Sequence, residues 1–251
     1  MRLFLIEKAK LKGRHIFLCY ALVLLVTFFW MLWCMRDMDE TITCQGYYYL
    51  LISMPMINAI LLPAVLAAAE SRLCDIEIKG DTLKMLYTME PKLAVYHVKL
   101  LYGSYYLTLF CLLETAMIPL LGRLFQVRQP FPAVQVLLFF LSTFAVSFVL
   151  LLIQQPLSLL YTNQLIPMFI GIGGTFYGLF SWFFPNVPLL RYLLPWGYYC
   201  SGCSVNMNYD EATRIITYYT IPFPISFSAG LLLFGAAAYL AGCMAFMKKE
   251  V

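Results

Sequence analysis

The stretch that decides the fold runs from Gln129 to Leu190, QPFPAVQVLLFFLSTFAVSFVLLLIQQPLSLLYTNQLIPMFIGIGGTFYGLFSWFFPNVPLL, 62 consecutive residues without an Asp, Glu, Lys or Arg. A membrane-spanning helix needs about 20 apolar residues, so this run is too long for one helix and long enough for two. Gln154, Gln155, Pro156, Asn163 and Gln164 supply the polar break that divides it. Three more uncharged runs, 16–35, 41–69 and 215–247, hold 20, 29 and 33 residues.

The rest of the composition agrees. Of 251 residues, 62% are apolar and only 12% are charged, with 17 Lys and Arg against 13 Asp and Glu. Soluble domains carry roughly 25% charged residues, and thirty charges cannot coat a globule of this size. A soluble enzyme, a nucleic-acid binder and a secreted disulfide scaffold are excluded, since none could hide so much apolar surface. The reading is an all-α polytopic membrane protein, a single transmembrane domain over 1–251 with six spans near 16–35, 46–69, 98–121, 132–153, 165–184 and 222–246. The first run has the basic start of a signal peptide, but Trp30, Trp33 and Arg36 stand where cleavage needs small residues, so it is kept as a span. Eight cysteines are scattered without a framework and read mostly as small apolar fillers.

Basic residues in short loops stay in the cytoplasm. With the amino end inside, twelve of the basic residues fall on inner segments, against Arg36, Arg123, Arg128, Arg191 and Arg214 outside. Both termini are therefore expected in the cytoplasm, in the plasma membrane. Trp30, Trp33, Tyr47, Tyr48, Tyr49, Trp182 and Trp196 then form an outer aromatic belt.

Two basic segments stand out. Near the amino end, Leu3, Phe4, Leu5 and Ile6 precede Glu7, Lys8, Lys10, Lys12 and Arg14, a pattern suited to a helix lying along the inner headgroups or simply to fixing topology. The second, Glu70 to Lys99, reads ESRLCDIEIKGDTLKMLYTMEPKLAVYHVK and holds ten of the thirty charges. Leu73, Ile76, Gly80, Leu83 and Tyr87 recur at helical spacing, so one face can pack while Asp75, Glu77, Lys79 and Lys84 point away. Gly80 and Asp81 break the run, Asp81 capping a second short helix, and Pro91 suits the first turn of the next. Thirty residues exceed a bare connection. They read as a docking element, with a solvated hairpin as the plain alternative.

At these residues the sequence resembles the permease subunits of type-2 ATP-binding-cassette (ABC) transporters, and within them those of lantibiotic or bacteriocin self-protection. The resemblance rests on EKAKLKGR at 7–14 and on the loop, where Glu70 closes span two, a charged helix runs through Lys84 and Leu86, and Lys99 opens span three. It implies a cytoplasmic coupling helix between spans two and three that sits in a groove of a separate ATPase, with Glu70, Asp75, Glu77, Lys79, Asp81 and Lys84 as coupling residues. It also implies an amino-terminal interfacial helix, short re-entrant or extracellular helices between spans five and six, and two ATPase copies carrying ATP and Mg. Assembly as a homodimer or as a heterodimer with a similar permease follows, as does a peptide or amphipathic drug as cargo. The pair Cys200 and Cys203 and the stretch Asn206, Asn208, Asp210, Glu211 depart from that pattern.

Chemistry of the chain's own is sparse. No GxxxxGK[ST] loop occurs, so no nucleotide cofactor is expected on this chain. His15 and His97 lie far apart in sequence, and no paired CxxC or HExxH supplies metal ligands. Cys200 and Cys203 form one CxxC, open to a local disulfide or to nothing. Gly174 and Gly178 give small-xxx-small spacing for close helix packing, inside the chain or between subunits. Glu114 is the one charge well inside a span, and intramembrane charges are costly. It lines a substrate path or a subunit interface, or else makes a buried helix–helix hydrogen bond or reaches water at the border. Pro55, Pro63 and Pro167 bend their helices, whether for gating or because proline is common in membrane helices. The rival to the permease is a non-transporting membrane scaffold or sensor partner.

Overall fold

The computed structural model describes residues 2–11, 13–36, 43–80, 82–184, 187–212 and 215–249. Among them the helices are α1 Arg2–Leu11, α2 Ile16–Met35, α3 Gly46–Lys79, α4 Leu83–Met89, α5 Lys92–Leu124, α6 Ala133–Leu160, α7 Leu165–Phe183, α8 Pro188–Leu193, α9 Tyr198–Ser201 and α10 Ile225–Lys248. A short 3-10 turn, Pro195–Gly197, precedes α9, and two strands, β1 Val205–Tyr209 and β2 Ile216–Thr220, precede α10.

Five helices, α2, α3, α5, α6 and α10, are long and apolar enough to cross a membrane. The sixth expected span, α7, is apolar but has 19 residues, about 28 Å at 1.5 Å per residue. The bundle thus has five long candidate spans and one shorter apolar helix among the described residues.

Two helices far outrun the bilayer. α3 has 34 residues and α5 has 33, each about 50 Å long against a hydrocarbon core of about 30 Å. The surplus lies largely at one end, where α3 continues ten residues past the expected end of span two. Pro55 and Pro63 sit inside α3 without ending it. Pro167 is the third residue of α7, where a backbone N–H has no intrahelical acceptor. The bend expected there has no lost hydrogen bond to cause it.

The polar break in the 62-residue run lies later than its glutamines suggest. Gln154, Gln155 and Pro156 are inside α6, which ends at Leu160. Buried Gln155 donates from Nε2 to the Tyr96 carbonyl at 2.8 Å, so its donor is met by α5 rather than by water. The turn itself is Tyr161 to Gln164, where the Asn163 side chain accepts from the Leu165 N–H at 3.0 Å.

α3 is the central helix, packing on α6, α7, α2 and α5. α2 and α10 are peripheral and leave Leu22, Phe29, Trp33, Leu232 and Leu233 exposed, as a lipid-facing surface requires. Residues 195–204 return into the bundle, where Trp196, Tyr198 and Tyr199 are buried. Tyr199 is fully buried and its hydroxyl lies 2.8 Å from Ser147 Oγ, midway along α6. An antiparallel hairpin follows, pairing Val205 with Thr220 and Tyr209 with Ile216, and it places exposed Asn206 and Asn208 on β1. Its Tyr218 N–H donates to Gln45 at the start of α3 at 2.8 Å. The expected aromatic belt is thinner than supposed, because Trp196 and Tyr47 turn inward, while Trp30 and Trp33 face out. The Trp182 side chain and Arg214 lie outside the described residues.

Candidate functional site

The extended ends of α3 and α5 meet α1 at a buried cluster of charges. Lys99, on α5, is fully buried and stands 2.7 Å from Glu77 Oε2 and 3.6 Å from Glu7 Oε2. Lys10 bridges the same two acids, 3.3 Å from Glu7 and 3.1 Å from Glu77. Lys99 also donates to the Leu73 carbonyl at 3.1 Å. Two carboxylates and two ammonium groups therefore cancel, with Glu7, Glu77 and Lys99 closed to solvent and Lys10 half-buried at the edge. Buried pairs gain little net stability, but they fail badly when one partner is lost.

Local sequence explains how three helices reach one point. Glu7 and Lys10 are three apart on α1 and share a face. The turn from α1 to α2 uses Gly13 at φ 87° and His15 at φ 51°, a left-handed conformation that glycine adopts at little cost. α1 is held to α5 by the Tyr102 hydroxyl, which donates to the Phe4 carbonyl at 2.8 Å, and by the stacked rings of Phe4 and Tyr102, 4.7 Å apart. Thus α1 is docked on the bundle, where the sequence had suggested only a surface-lying segment.

The expected outward face of the loop is partly reversed. Glu77 is fully buried and Asp75 nearly so, whereas Lys79 and Lys84 are exposed. The reason is Lys99 and Lys10: an acid whose cations are inside has more to gain there than in water. Asp75 keeps an i,i+4 pair with Lys79 at 2.8 Å. Glu70 is buried against α5, and its carboxyl fills space that Gly103 leaves by lacking a Cβ. Gly80 ends α3, and Thr82 stands at the N-cap of α4. The cap assigned to Asp81, and its coupling role, lie outside the described residues.

Beyond Gly80, α4 forms the tip. Its Tyr87 ring packs edge-on against Phe246 of α10, with the Lys92 ammonium 5.0 Å from the ring. Burial, and then the nearby Glu77 carboxylate, push the Tyr87 hydroxyl up to about 12. The opposite face of α4 exposes Lys84, Met85, Thr88 and Met89. Two further lysines bind helix ends at this pole, where carbonyls lack intrahelical donors. Lys92 donates to the Lys249 carbonyl at 2.8 Å and Lys249 to the Leu159 carbonyl at 2.7 Å. Pro91 is the N-cap of α5.

The other candidates lie elsewhere. Glu114 is fully buried in α5 beside Asn58 of α3, and neither of its oxygens makes a well-formed hydrogen bond. Gly174 and Gly178 admit the Trp196 ring and backbone of the re-entrant segment, so the close approach they allow is filled within the chain, not held open for a second subunit. Cys200 and Cys203 are free thiols. Burial pushes both up, Cys203 to about 12, so they stay protonated and weakly nucleophilic at neutral pH.

Sequence reasoning missed the cluster as a site. Its signals were present: Glu7 and Lys10 at helical spacing, and Lys99 isolated in the apolar run VYHVKLLYGSYYL. A comparison with curated proteins finds no match. A family model described as "ABC-2 family transporter protein" matches residues 3–180, which takes in α1, the charged cluster, the α4 tip and most of α7. With its apolar helices and this match over most of its length, the chain belongs to the ABC-2 family of transporter proteins, as a polytopic membrane permease.

Proposed function

We propose that the chain is the permease subunit of an ATP-driven exporter, and that α4 is the element its ATPase grips. Permeases of this family normally pair with a separate ABC ATPase. The observation that carries the reading is the path from tip to bundle. α4 offers exposed Lys84, Met85 and Met89 and follows directly on α3, whose Glu77 is ion-paired to α5 and α1. Force applied at the tip reaches the central helix and, through Lys99, the helix that carries Glu114.

In this reading Lys79 and Lys84 touch the ATPase, while Glu70, Asp75 and Glu77 transmit its closure from inside. The charged pole faces the cytoplasm of the cell, with both termini there, and two ATPase copies supply ATP and Mg. Two permeases, identical or similar, assemble around the path. Glu114 and Asn58 form a polar point on the substrate path, opened when α3 moves against α5. The cargo is an amphipathic antimicrobial peptide of the lantibiotic or bacteriocin class, or a drug of like character, taken from the membrane. This cargo follows from the resemblance of 7–14 and 70–99, and Glu114 is suited to a cationic cargo because no lysine or arginine pairs with it among the described residues.

The test is coexpression of the full chain with each candidate ABC ATPase of the same genome. One should copurify with it, and Met85→Asp with Met89→Asp should abolish the complex while leaving the permease folded. If no Walker-containing partner binds, or the double variant binds unchanged, the assignment of α4 fails. Cargo is tested by deletion: cells should become sensitive to one peptide and remain indifferent to others.

A further inference from the structure

α1 and α5 enclose a groove of about 960 Å³ on the outer surface of the bundle, separate from the charge cluster behind it. Its floor is Leu101, Tyr105 and Leu109, spaced by four along α5, with Phe17 of α2 beside them and Phe4 and Lys8 at the rim. Leu101, Tyr105 and Phe17 are well exposed, at a depth where α2 and α5 cross a bilayer. The groove therefore opens sideways to lipid.

The charges of α1 divide unequally. Glu7 and Lys10 turn inward and are neutralised by Lys99 and Glu77. Lys8 lies at the groove and makes no ion pair among the described residues. An ammonium at the top of an apolar, bilayer-facing groove is complementary to one molecule the membrane supplies, a phospholipid with a net negative headgroup. We propose that this groove is an anionic-phospholipid site, with the headgroup phosphate at Lys8 and an acyl chain along Leu101, Tyr105 and Leu109.

A second protein helix is the poorer occupant. Within lipid, bulky apolar side chains give helices no drive to associate, and close helix contacts use small residues. Apart from Ala9, this groove is lined by Leu, Tyr, Phe and Lys. Occupancy would also brace α1, whose hold on α5 runs through Phe4 and Tyr102, and so would steady the Glu7 and Lys10 side of the cluster.

The experiment takes the full chain, purified in mild detergent and stripped of lipid. It is then offered phosphatidylglycerol or phosphatidylcholine, and bound lipid and oligomeric mass are read together by native mass spectrometry. The unaltered protein should retain phosphatidylglycerol in preference. Lys8→Gln should lower that retention about fivefold, the effect of one basic group at an anionic surface, leave phosphatidylcholine unchanged, and keep the same melting temperature. Lys8→Arg should restore the preference, and Leu101→Trp, which fills the groove, should reduce both lipids. Equal retention of the two lipids, or undiminished phosphatidylglycerol on Lys8→Gln, overturns the site. So does a Leu101→Trp protein that loses dimer mass but no lipid, since the groove is then a contact between copies.

Discussion

Glu77 and Glu114 are both fully buried carboxylates, yet they are treated in opposite ways. Glu77 sits where α3 and α5 outrun the hydrocarbon, and two lysines from different helices follow it inside. Glu114 sits well within α5 beside the neutral groups Asn58, Cys111 and Tyr199 and makes no ion pair among the described residues. The difference teaches that burial of an acid is not one condition. At the charged pole the acid joins helices by mutual neutralisation. In the span it is left short of partners, which is a poor way to stabilise a fold and a reasonable way to keep a polar point for something that arrives later.

The comparison can be broken first at its strongest member. Lys99→Met should cost about 3–5 kcal/mol, because it leaves Glu7 and Glu77 buried with Lys10 alone. Denaturation of the full chain in detergent measures this, and a loss below 1 kcal/mol would mean water already reaches the cluster. Glu77→Gln keeps the shape but removes one charge, and about 1–3 kcal/mol should be lost. The same variant should uncouple ATP hydrolysis from transport more than it weakens ATPase binding.

Glu114→Gln sharpens the contrast from the other side. Stability should change by about 1 kcal/mol or less, since Gln keeps the shape and neither Glu114 oxygen has a well-formed hydrogen bond to lose, whereas protection against the cargo should fall. A protein equally stable and equally protective would remove Glu114 from the path. The smallest effect is expected for Lys79→Ala, which removes the exposed cation of the i,i+4 pair with Asp75 and should cost only about 0.3–0.5 kcal/mol. If it instead approached the Lys99 variant, the two ends of the α3 extension would have to be one network.

Much of the fold was legible in the chain because it follows from hydropathy. The uncharged runs marked α2, α3, α6, α7 and α10, hydropathy on either side of Glu114 marked α5, and Gly80 marked the end of the α3 extension. The misreadings share one cause. Gln154, Gln155, Asp75 and Glu77 were taken to face water because they are polar, and each has a partner from another helix or from its own turn. Tyr96 supplies the carbonyl for Gln155, and Lys99 and Lys10 supply the charge for Glu77. The pairing of β1 with β2 was also unforeseen: ITYYT is rich in strand-forming residues, but the two asparagines of VNMNY are not strand formers, and short strands leave little hydropathy signal beside spans.

By itself the sequence determined that this protein lives in a membrane, which segments can cross it, and that its charges gather in one loop and at the amino end. Those are properties of transfer free energy, summed residue by residue along the chain. Only the tertiary structure decided which charges are inside. Pairing depends on where α1, α3 and α5 meet, and a buried ion is tolerated only when its counter-ion, however distant in sequence, stands within a few ångströms.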